Sequence, residues 1–139
     1  MANFLGNEIK KYFDDLSATH EIVTQFGVAF TGGTNLFIGI EDATSTKCLT
    51  ILPYPGGKPY DKGERQESAF QIRLKIKDAE KGFRTTQSII NRLDNNDNIL
   101  ASANGVIHAV QSSPILLETQ EGGEIFIFVA NFGCRHIKL

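Results

Sequence analysis

The stretch "EIFIFVANFGCRHIKL" at the end of the chain is apolar on both sides of an extended strand. Side chains alternate across a strand, so Ile125, Ile127 and Val129 fill one face while Phe126, Phe128 and Ala130 fill the other. A sheet covered by helices on one side hides only one of these sets. The other must meet a second layer or another chain, and exposed phenylalanine pairs on a soluble protein mark an interface. Phe126 and Phe128 are therefore candidate contact residues. The alternative is that the helices divide between the two faces and cover both.

The remaining elements fit that sheet. Leu5, Ile9, Tyr12, Phe13 and Leu16 recur at helical spacing, which predicts an amphipathic helix over residues 3–19. Leu36, Ile38 and Ile40 alternate, predicting a strand over residues 35–40, and "KCLTILPY" predicts the next. Pro53 and Pro55 end that strand or place it on an edge, since proline has no N–H for a ladder. In "SAFQIRLKIKD", Phe70, Ile72, Leu74 and Ile76 face one way, and Gln71, Arg73, Lys75 and Lys77 the other. Asp78 suits the N-cap of a following helix, with Ala79, Phe83, Thr86, Ile90 and Leu93 on one side and a Glu80–Arg84 pair on the other. "DNNDN" stops it, "GVIHAVQ" and "PILLET" read as strands, and "EGGE" reads as a hairpin turn. The expectation is a single α+β domain over residues 1–139, a mostly antiparallel mixed sheet packed with two main helices.

At 139 residues the chain can bury a core without staples. Its formal net charge of -2 and pI near 5.9 lack the basic excess of a free-standing nucleic-acid binder. "MANFLGNEIKKYF" has no basic region leading into an apolar core, and "IFIFVA" is far too short to cross a bilayer. A soluble intracellular protein without a membrane partner is expected. Two cysteines, Cys48 and Cys134, are too few for a secreted disulfide scaffold.

Residues 53–67 form a loop with three prolines, three glycines and two tyrosines. Its Gly-Gly-Lys does not make a Walker loop, because proline follows the lysine and a strand, not a helix, comes next. A long structured loop of this kind is a contact element, and its members are Tyr54, Pro55, Gly56, Gly57, Lys58, Pro59 and Tyr60. Arg73, Lys75 and Lys77 make a positive stripe that is either a solvated outer face or a wall for acidic groups of a neighbour or for passing nucleic acid. Cys134 and His136 share a strand face, but zinc needs further ligands at a spacing the chain lacks. No catalytic, cofactor or metal residue is expected.

The stretch over residues 35–95 resembles the minor capsid and tail terminator proteins of long-tailed bacteriophages. The resemblance is carried by Phe37-Ile38-Gly39, by the loop Gly56-Gly57-Lys58-Pro59, by Gln71-Ile72-Arg73 leading into a helix, and by Asn131-Phe132 in a final strand. It extends in element order over residues 3–139, and departs at Glu41-Asp42, where a proline turn is the pattern. It implies a small α+β domain without cofactor or catalysis, forming a ring, often a hexamer, at the head-proximal end of the tail tube. It also implies a virion protein made in the bacterial host cytoplasm. Such a ring stops tube polymerisation, offers a surface to the head-completion protein and lets DNA pass as cargo. The same features fit another head–tail connector of the neck; a small enzyme using Cys134 and His136 is a more remote reading.

Overall fold

A computed structural model describes residues 2–40, 44–54, 65–100 and 105–137. Three helices lie on one face of a six-stranded sheet. The order is α1 (Ala2–Asp14), α2 (Glu21–Phe26), β1 (Leu36–Ile38), β2 (Cys48–Tyr54), β3 (Arg65–Ile76), α3 (Ala79–Leu93), β4 (Gly105–Ala109), β5 (Ile115–Gln120) and β6 (Ile125–Ile137). The strands run β1-β2-β3-β6-β4, with β5 beside β4 on the same edge of β6; only the β1–β2 pair is parallel.

Local chemistry explains the elements. The Asp78 carboxylate accepts the Lys81 N–H at 3.0 Å and caps α3, and Arg84 pairs with Glu80 at 2.8 Å across one turn. The apolar stripe of α3 is rotated from expectation: Thr85, Thr86, Ile89, Ile90 and Leu93 are buried, whereas Phe83 stays 44% exposed at the margin. The short α2 is an element that the periodicity did not show. His20 caps it, its Nδ1 accepting the Ile22 N–H at 3.2 Å, and Gly27 ends it at φ 103, a left-handed value that favours glycine. The six residues bury Ile22, Val23 and Phe26. Pro53 falls two residues past Ile51, the last β2 residue that β1 reaches, so β2 has become an edge there.

The core lies between the helices and the even-numbered face of β6. Ile9 and Phe13 of α1, Phe26 and Phe30, Leu49 and Ile51, Phe70 and Ile72, and Phe128, Ala130, Phe132 and Cys134 are all members. Phe70 and Phe132, paired across β3 and β6, stack at 5.0 Å. Both apolar sets of β6 are withdrawn from water: Ile125, Ile127 and Val129 on the odd-numbered face are buried as well.

Candidate functional site

Register decides which expected contact residues remain on the surface. Phe128 is 5% exposed beneath α3, against Gly82 and edge-on to Phe83 at 6.4 Å, and Phe126 is half-buried against the same core. Phe126 and Phe128 thus belong to the chain's own core, not to a face left for another chain. The reason is that all three helices stack on one side and take the phenylalanine face.

The basic stripe is also corrected. Lys75 sits between Cys48 of β2 and Ile127 of β6 and is only 2% exposed. Arg73, between Thr50 and Val129, is half-buried, and neither residue is without a partner in the fold. Lys77, one residue beyond β3, is exposed, so no continuous charged wall faces solvent. Of the loop residues, Tyr54 ends β2 opposite Ala69, while Pro55, Gly56, Gly57, Lys58, Pro59 and Tyr60 lie outside the described residues.

Cys134 is buried on the helix-covered face, where desolvation pushes its thiol up to about 12, far from a reactive thiolate. Cys48 lies opposite Lys75 and so on the other face of the sheet, which keeps the two cysteines apart; both are free thiols. Among the described residues no group of three His, Cys, Asp or Glu side chains could hold a metal. A cleft of about 350 Å³ between α2 and the start of α3 is lined by Thr24, Gln25, Asp78, Glu80, Lys81 and Arg84. Its charges cancel, Glu80 and Arg84 pairing with each other while Asp78 serves as a cap.

The surface that stands out is the edge formed by β4 and β5. Among the described residues, Val106 (41%), Val110 (67%), Ile115 (45%), Leu116 (50%) and Leu117 (48%) are exposed there, five of the eight large apolar side chains so exposed. Three consecutive ones lie on β5, whose register shifts between Leu116 and Glu118. An edge strand presents unpaired backbone groups, and exposed apolar side chains on it invite another chain.

The edge is held in a defined shape. Between the β4 and β5 ladders, Gln111 stands in for a strand partner: its amide donates to the Val129 carbonyl at 3.3 Å and its oxygen accepts the Asn131 N–H at 3.2 Å. The Val110 N–H donates to the Asn131 carbonyl at 2.9 Å, and Gln87 of α3 donates to the Ser112 carbonyl at 3.0 Å. Sequence reading found "PILLET" as a strand but not as a contact surface. The available signal was three apolar residues in a row, more than one face of a strand can take.

Residues 22–135, from α2 through nearly all of β6, match the profile of a family described as bacteriophage tail terminator protein. Among solved structures, a chain of the virion of a native gene transfer agent particle has the same fold, with a TM-score of 0.69 at 11% identity, covering 97% of this chain and 98% of that one. No curated protein matches the chain. With a family match over most of its length, the chain belongs to the bacteriophage tail terminator proteins, a family of structural, non-enzymatic proteins.

Proposed function

We propose that the protein forms a ring on the head-proximal end of a phage tail tube, where it stops tube growth and presents a surface for the head-completion protein. The match to the tail terminator family over residues 22–135 carries this reading. A structured, apolar sheet edge that calls for a partner supports it. The ring would be homo-oligomeric, a hexamer in the family's usual form, with DNA passing through its lumen. A chain of net charge -2 would hold that DNA weakly. The residue 53–67 loop, with Tyr54 and Tyr60, would add rigid contact surface.

The test is assembly of tail tubes from purified tube protein with and without this chain, read as tube length and end structure by negative-stain microscopy. Tubes of limited length with added density at one end are expected. Unchanged lengths and bare ends would overturn the terminator role. Binding to head-completion protein alone would point to a neck adaptor instead.

A further inference from the structure

Strand register places the two ends of the sheet at the same height. One row of paired residues runs Leu36–Leu49–Leu74–Phe128–Leu116, and the next runs Phe37–Thr50–Arg73–Val129–Ile115. β1 at one end and the apolar part of β5 at the other thus terminate the same rows. Following the pairing from strand to strand, β1 and β2 run one way, β3 the other, β6 back again and β5 opposite to β6. β5 is therefore antiparallel to β1.

The two ends also match in chemistry. The β5 end carries Val110, Ile115, Leu116 and Leu117, followed by the exposed Glu118 and then Glu124. The β1 end carries the half-buried Ile38 and the 81% exposed Ile40. At the Leu36 end of β1, Gly33 donates its N–H to the Leu36 carbonyl, so among the described residues the Ile38–Ile40 end is the part of this edge left for a neighbour.

Resting on the ring proposed above, we infer that the seam between its subunits is the β5 edge of one copy docked along the β1 end of the next. Val110 and Ile115–Leu117 cover Ile38 and Ile40. The contact joins unlike surfaces, which is the condition for closing a ring instead of a two-fold dimer. The sheets of successive subunits would then run on around the ring with antiparallel strands at each junction.

Native mass spectrometry and negative stain of the full chain, alone and with tail tubes, test this with two variants. Leu116→Arg removes a half-exposed leucine from the seam and should raise the concentration needed for assembly by about tenfold or more, with an unchanged melting temperature. Ile40→Arg, at the 81% exposed position of the β1 end, should weaken assembly to a like degree, again with an unchanged melting temperature. Wild-type assembly with an unaffected Leu116→Arg variant overturns the seam and leaves the ring standing. So does a Leu116→Arg ring that fails only to cap tubes, which would assign the edge to the tube protein. An Ile40→Arg variant that assembles like wild type overturns β1 as the counter-surface. A wild type that stays monomeric even on tubes overturns seam and ring together.

Discussion

Substituting Gly82 with alanine tests how closely α3 is seated on the sheet. A Cβ built at Gly82 falls 2.6 Å from Ile76 Cγ2 and 2.6 Å from Phe128 Cε2, closer than real Cβ contacts come. Two effects oppose each other. Alanine in a helix interior gains about 1 kcal/mol over glycine. Forcing a methyl into a packed core costs about 1–3 kcal/mol. Both obstructing groups are stiff, one an aromatic ring and the other a β-branched methyl next to the backbone, so the cost belongs in the upper half of that range. The expected result is a net loss of about 1–2 kcal/mol, or a fall in Tm of roughly 3–8 °C for a domain of this size. Urea and thermal unfolding of Gly82→Ala, Phe128→Leu and the double variant measure it. The double variant should lose less than the sum of the singles, because leucine vacates the space that the new methyl needs. A Gly82→Ala protein as stable as wild type, or more so, would falsify this account of α3 and return the helix to ordinary propensity rules.

Two further outcomes follow from burial. Lys75→Glu should destabilise the fold by about 3 kcal/mol or more, since it reverses a charge that is 2% exposed, whereas Lys77→Glu should change stability by less than about 0.5 kcal/mol in the same denaturation series. The raised Cys134 thiol means that the native state holds a proton which the unfolded state releases from about 8.5 upward. Its contribution to stability should be complete below that pH and decline as pH rises toward about 12, and Cys134→Ala should flatten this part of the stability–pH curve in alkaline thermal melts.

Where pattern and propensity act together, the residues already told the fold. The alternation around Phe70–Ile76, the Asp78 cap and the Glu80–Arg84 pair all have a local cause, and each is present. The misreadings arise where a tertiary choice decides. Period-two alternation shows that Phe126 and Phe128 share a face, but not which face the helices take. A lysine in that alternation reads as solvated, yet Lys75 lies in the middle of the sheet, flanked on both sides by strands. α2 is six residues long, too short for its apolar spacing to separate from a strand, and Gly27 reads equally well as a strand break or as a helix cap. The exposed apolar edge was the least legible. "PILLET" looks like any strand until the register of β5 shows that β6 covers only one side of it.

The position of β6 ties the order of synthesis to the chance of association. It is made after every other strand, yet it stands between β3 and the β4/β5 pair. While it is still missing, β1, β2 and β3 can form a small sheet, but β5 has no strand to lie against. Closing the sheet joins residues as far apart as Gln71 and Asn131, whose side chains bond at 3.0 Å across sixty positions. Such distant pairing pays its loop-closure entropy first and is slow. The ordered β5 edge, and the Gln111 contacts that shape it, therefore come into being only when the last strand has docked. A chain that is incomplete or wrongly folded has no such edge to offer, so the fold itself withholds immature copies from assembly.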